Sequence, residues 1–387
     1  MTPEPVLRQR KPASRAQRNF QLDSVRFGAA LLVLISHLRA FVLVDYALLD
    51  KPSVPLRLFY FVTGLGHEAV VVFFVLSGYF VSRTVSQPSG GQWRAADYAI
   101  NRLSRLWTVL VPGLLATLLL DWLGAQLSGS SYYQGALIPL YHSGPPAPQI
   151  PLDAWTFFGN LAFLQTIAVP TYGDNVPLWS LANEFWYYAL FPLLFIGIAG
   201  GRKVVVRVLA LSVALALMLW LPAAIVEAFG IWLLGYAIAV IGARPQRLRW
   251  AAHASAKWSA ALLVLAALML ARSHRLDQML SDYLLGLAVA ALLITLLQPT
   301  SRVADSSFGR LMELGAEMSY SLYIFHFPLL SFIACVVLGN RTYAPDAQSM
   351  LLFAALLGLV LLYGLGAYWL FERNTFQVRT SLQRLFR

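Results

Sequence analysis

Charge is scarce in this chain: Asp, Glu, Lys and Arg make up only 12% of its 387 residues. Soluble domains carry about 25%. With 58% hydrophobic residues and a mean hydropathy of +0.64, the sequence is that of an integral membrane protein. Cysteine is almost missing as well. The lone Cys335 excludes an internal disulfide and a thiolate metal centre, and its apolar neighbours mark it as a small core residue. No Lys or Arg occurs between Trp107 and Gly201. The section 128–177 within that stretch, with the proline-rich YHSGPPAPQIP at 141–151, is therefore expected on the outer side of the membrane. Internal repeats, a heptad seam and a separate soluble domain are also lacking, which removes the usual support for a symmetric transporter. The net charge of +11 is not gathered into a basic domain, so no nucleic-acid partner is expected.

What is present is a series of apolar runs. They fall near 24–44, 60–82, 106–125, 178–199, 204–221, 223–242, 257–271, 279–297, 313–338 and 349–371. The fold class is therefore all-α, a polytopic membrane bundle of about ten transmembrane helices. Segments 1–26, 83–105, 202–207, 244–257, 298–312 and 372–387 hold 23 of the 29 basic residues. The positive-inside rule then puts both termini in the cytoplasm. Residues 1–22 read as a disordered basic cytosolic tail, 23–371 as a single transmembrane domain, and 372–387 as a second basic tail. The piece WTFFGNLAFLQTIAV is too short to cross and is expected to be interfacial or re-entrant, whereas WRAADYAINRLSRLW suits an amphipathic helix on the inner leaflet.

Ionisable residues inside such helices are costly and mark function by default. Arg26 and His37 stand eleven residues apart in the first run. Eleven steps of about 100° return to within roughly 20° of the start, so both share a face, about 16 Å apart along the axis. Counting from the outer helix ends puts His37, the pair His67 and Glu68, and Glu184 all roughly 9–11 Å deep. Groups at one level on three helices are expected to line one polar cavity. His326 lies deeper and has two readings, a functional one and a structural one in which a histidine bonds the backbone carbonyl that Pro328 frees. At the inner face, Arg102 and Arg105 are three apart on one helix face, close to Arg83 and level with Arg26, which reads as an anion site. Ser77 and Gly78 read as close-packing residues. Three other readings stand beside this: a proton-coupled transporter or flippase using the same intramembrane His and Glu, a non-catalytic scaffold, which leaves the buried charges unexplained, and a glycan polymerase or ligase fed by lipid-linked sugar.

These motifs, in this order, resemble the acyltransferase 3 family of polytopic membrane O-acyltransferases. The family's leading Arg-x10-His is matched by Arg26 and His37, and its second-span signature by FFVLSGYF from Phe73 to Phe80. The basic pair is Arg102 and Arg105, and the tryptophan–glutamate motif is PLWSLANEFWYY. The late motif runs from Ser319 to Pro328, and FER closes the match at 371–373. Val71 departs from the pattern, since many members carry an acidic residue there. The resemblance implies transfer of an acyl group, acetyl being the expected one, from cytosolic acyl-CoA to a hydroxyl on an extracytoplasmic glycan or glycolipid. It also implies a multi-pass protein of the bacterial cytoplasmic (inner) membrane with no metal and no tightly bound cofactor. The expected catalytic residues are His37, Glu184, His326 and Glu68. His37 would serve as base, Glu184 or Glu68 would orient it, and His326, Tyr323 or Asn183 would donate to the oxyanion. Arg26, Arg83, Arg102 and Arg105 would hold the coenzyme phosphates. Trp179, Asn183, Trp186, Tyr187, Tyr323 and His67 would meet the acceptor.

Overall fold

A computed structural model describes residues 19–86, 93–128, 132–133, 150–199, 202–297 and 306–385. Among these, thirteen α-helices follow in chain order. They are α1 (Phe20–Val42), α2 (Val54–Val62), α3 (Gly66–Ser86), α4 (Ala95–Leu127), α5 (Ala154–Leu161), α6 (Leu178–Ile198) and α7 (Val204–Trp220). The rest are α8 (Ala223–Gly242), α9 (Ala254–Arg272), α10 (Gln278–Leu296), α11 (Ser307–Phe332), α12 (Ala347–Leu370) and α13 (Thr375–Leu385). Nine spans among the described residues are long and apolar enough to cross a membrane, and α7, with 17 residues, is a shorter apolar helix. Each of the ten expected runs has its helix.

Two boundaries differ from expectation. The run at 60–82 is broken at Thr63–Leu65, where α2 stops and α3 begins. The expected leaflet helix at 93–107 is not separate: it is the first part of the single 33-residue α4. Its apolar face simply continues into the span, so nothing in the sequence stops the helix. The short piece at 155–169 does stay short, with α5 followed by turns at Phe163 and Thr166, both at positive φ. Of the expected tails, residues 1–18 lie outside the described residues, as does most of the proline-rich 141–151. Residues 375–385 form α13, which packs on α4.

The centre of the bundle is built by α1, α3 and α11. Helix α1 packs against α3 and α11, α3 against α8 and α10, and α11 against α4 and α12. Asn19 starts α1 by accepting from the backbone N–H of Gln21 (3.0 Å), while its amide donates to the Leu296 carbonyl at the end of α10 (2.8 Å). The closest crossing is that of α3 with α8. A Cβ on Gly78 would overlap the Trp232 carbonyl, and one on Gly235 the Val75 carbonyl. Glycine at both positions lets the backbones touch, which is how apolar helices gain contact where lipid supplies no hydrophobic drive. Helix α9 packs on α10 at the edge of the bundle with most of its apolar side chains exposed, a lipid-facing surface.

Candidate active site

A cavity of about 660 Å³ runs between α1, α3, α4, α6 and α11. Along α3 its lining extends from Val70 to Arg83, about 20 Å of helix rise. One end is strongly charged. Arg26, Arg83, Arg102, Arg105 and Arg373 line it together with Asp23, Glu317 and Glu372. Arg102 lies over the rings of Tyr98 (5.7 Å) and Tyr188 (5.9 Å), and its Nε is buried without a partner. Arg83 donates to the Tyr79 hydroxyl at 2.9 Å. Arg26 is within electrostatic reach of Arg105, Glu372 and Glu184. Glu372 is fixed in turn by the backbone N–H (3.0 Å) and hydroxyl (2.7 Å) of Ser321. Guanidinium groups so held can bind an anion.

Glu184 lines the same cavity and ends a chain of hydrogen bonds whose direction is fixed. Trp232 Nε1 can only donate, to Ser77 Oγ at 3.2 Å. Tyr188 gives its proton to Glu184 Oε2 at 2.8 Å, so the 3.3 Å contact between Ser77 and Tyr188 is a bond donated by Ser77. Ser77 therefore transmits orientation from α8 to the carboxylate as well as packing closely. Sequence reasoning saw only its size, because the partners lie on α6 and α8.

The other end of the cavity is formed by Val70, Phe73, Phe74, Ser180, Leu181 and Tyr323. Tyr323 donates to the Pro177 carbonyl at 2.8 Å and meets the Ser180 hydroxyl at 2.6 Å. Its ring stands edge-on to Phe73, 6.3 Å between centroids, and 6.0 Å from the ring of His326. Behind this wall, His326 and His37 lie 5.3 Å apart, with Phe327 edge-on to His37 at 5.0 Å. His326 Nδ1 is 2.9 Å from the Tyr323 carbonyl and 3.0 Å from that of Leu322. Carbonyls only accept, so Nδ1 carries the proton and the buried Nε2, without a partner, keeps its lone pair. In the neutral tautomer His326 therefore presents its free Nε2 as an acceptor, and only in the protonated form as a donor. His37 Nδ1 is likewise buried without a partner.

The residues expected at one level do not share one cavity. Arg26 and Glu184 line the charged cavity, whereas His37 lies beyond its end wall beside His326. His67 bonds both oxygens of Asp282 (3.0 and 2.9 Å), and Gln278 donates to the same carboxylate. Glu68 is buried, with Oε2 unpartnered, and takes no part in the cavity. No hydrogen bond joins His37 to Glu184 or Glu68, so neither carboxylate orients it in this structure. Counting residues from a helix end gives height only; which way each side chain faces is set by packing. The proline-freed carbonyl of Ile324 is also not taken by a histidine: Asn175 donates to it at 3.0 Å.

Of the aromatic residues expected to stack on an acceptor, Tyr187 is fully buried and donates to the Ile225 carbonyl at 2.9 Å, so it is a packing residue. Asn183 is buried beside it. Trp186 is committed through Nε1 to the Phe163 carbonyl (3.0 Å) and packs on Trp220. Trp179 is half-buried, parallel to His67 at 6.4 Å and edge-on to Phe74, next to the cavity's far end. Among the described residues, no group of three or more His, Cys, Asp or Glu is placed to hold a metal ion.

Comparison with known families gives one match. Residues 19–370 fit a family model described as an acyltransferase domain, and of the site residues named above only Glu372 and Arg373 fall outside that match. No curated protein and no solved structure matches the chain.

Proposed function

The chain belongs to this acyltransferase family, and from that premise we propose that it carries an acetyl group from cytosolic acetyl-CoA to a hydroxyl of an extracytoplasmic glycan or glycolipid. The observation that carries the reading is the cavity: five arginines at one end, a lining that follows about 20 Å of α3, and two imidazoles behind the other end, each with one unpartnered nitrogen. On this reading the arginine end faces the cytosol of a bacterium and the protein lies in its cytoplasmic membrane. The excess of Lys and Arg in the segments on that side supports this orientation. Arg26, Arg102 and Arg105 hold the coenzyme's phosphates, and the pantetheine arm runs along α3 past Ser77 and Glu184. The thioester reaches His37 when the Phe73–Tyr323 wall parts.

There the acceptor hydroxyl gives its proton to His37 as its oxygen attacks the thioester carbonyl. The tetrahedral intermediate collapses, the C–S bond breaks, and the coenzyme thiolate takes the proton from the imidazolium. The products are the ester and free thiol, with no net change in protons. The neighbouring His326, held in the Nδ1–H tautomer, accepts a hydrogen bond from whatever donor sits between the rings. The test uses purified protein in lipid nanodiscs with radiolabelled acetyl-CoA and membranes of the producing cells as acceptor source. His37→Ala keeps donor affinity and loses ester formation, and Arg26→Ala loses donor affinity. Wild-type ester yield from His37→Ala refutes the mechanism. Loss of the ester mass from surface glycans in a deletion strain identifies the acyl group.

A further inference from the structure

We propose that Asn175 is a positioning residue for the transfer step: it clasps α11 beside Pro328 and so sets His326 against His37. The proposal rests on the acyltransferase reading and adds to it a residue that no motif marks. In an α-helix the carbonyl of residue 324 accepts from the N–H of residue 328, and residue 328 is proline, which has none. The Ile324 carbonyl is left without its helical partner in the interior of a membrane bundle, where an unpaired backbone group is costly. Asn175 Nδ2 supplies the missing donor at 3.0 Å and also donates to Thr117 Oγ1 on α4 at 3.1 Å. One amide therefore joins α11 to α4 two residues before His326.

The segment that presents Asn175 is itself tied down. The backbone N–H of Asp174 donates to Asp121 Oδ2 on α4 at 2.8 Å, and that of Tyr172 to Asn160 Oδ1 at 3.0 Å. Gly173 sits at φ +61°, and a Cβ there would overlap both Asp121 and Thr117, so only glycine lets the loop lie this close to α4. The loop grips α11 at a second point, where Tyr323 donates to the Pro177 carbonyl. Residues 323 and 324 are thus both fixed from outside the helix. The carbonyls of 322 and 323 receive His326 Nδ1. The turn that decides the tautomer and the direction of His326 is held by this loop, and the side-chain bond from the loop to that turn's backbone comes from Asn175.

The experiment compares Asn175→Leu, Pro328→Ala and the double variant in nanodiscs. Three readouts are taken: thermal stability, kcat and KM for acetyl-CoA with producer membranes as acceptor, and the 15N spectrum of ring-labelled histidine. His326→Gln assigns the His326 signals. Asn175→Leu is expected to lower kcat by about 100-fold with KM for acetyl-CoA unchanged, since a small displacement far from the donor site is enough. It also removes the pure Nδ1–H signature of His326. The double variant regains stability, because Pro328→Ala returns a backbone N–H to the Ile324 carbonyl, but α11 remains unclasped and kcat stays low. Should Asn175→Leu not fold, the double variant decides: its Ile324 carbonyl is paired again by a backbone N–H, so it folds, keeps kcat low and shifts the His326 signals. Unchanged kcat and tautomer in the folded Asn175→Leu variant, or wild-type kcat in the double variant, overturns the proposal. A wild type that binds no acetyl-CoA and forms no ester refutes the acyltransferase reading instead, and the spectrum still tests the clasp.

Discussion

Replacing Arg102 by Gln tests the charged end of the cavity most directly. The side chain lies over Tyr98 and Tyr188, and its buried Nε has no protein partner, so the guanidinium is held in place with donors to spare. A hydrogen bond from a charged donor to a phosphate contributes about 1.5–3 kcal/mol. At 1.4 kcal/mol per factor of ten, the dissociation constant of acetyl-CoA should rise about 10- to 100-fold. Arg102→Lys should fall between the two, because the charge remains but the planar fork that fits between two rings is lost. Arg102 belongs to the end of the cavity remote from the histidine pair, so kcat at saturating donor should not change. Titration of the purified protein in nanodiscs gives the affinity, and ester formation across a donor series gives kcat. A variant that binds acetyl-CoA as tightly as wild type refutes the phosphate assignment. One that binds normally but loses kcat moves Arg102 into the chemistry.

Tyr188→Phe removes the donor to Glu184 and the acceptor of Ser77; leaving those groups unpaired should cost about 1–3 kcal/mol, seen as a lower Tm with the cavity intact. Gly78→Leu forces α3 from the Trp232 backbone, and folded protein in size-exclusion chromatography should be lost, while Gly28→Ala, with open space at its Cβ, should be silent. Asp174, in the loop before α6, is buried, and burial pushes its carboxyl up to about 6. The folded state therefore holds a proton that the unfolded chain releases near 4. That stability is complete below the ordinary value and is lost as pH rises through about 6, by about 3 kcal/mol at most. Asp174→Asn should flatten the fall in Tm between pH 4 and pH 7; an equally steep fall would show that another group carries it.

The helices themselves follow from the sequence alone. Apolar runs of span length cannot satisfy their backbone in lipid except as helices, so ten of them mean ten helices, whatever surrounds them. The family was legible too, because Arg26, His37, FFVLSGYF and the motif around Glu184 lie within single helices where spacing is preserved. Position along each helix was also legible, at about 1.5 Å per residue. Partners were not. His37 meets His326 rather than Glu184, Glu184 is oriented by Tyr188 and Ser77, and His67 belongs to Asp282 on α10. Asn175 and Thr117 carry no motif, and their importance appears only when Pro328 stands beside them. A helix displays its side chains all round, and only the packing of its neighbours decides which of them face one another. Local periodicity is a property of the chain, whereas azimuth and pairing are properties of the bundle.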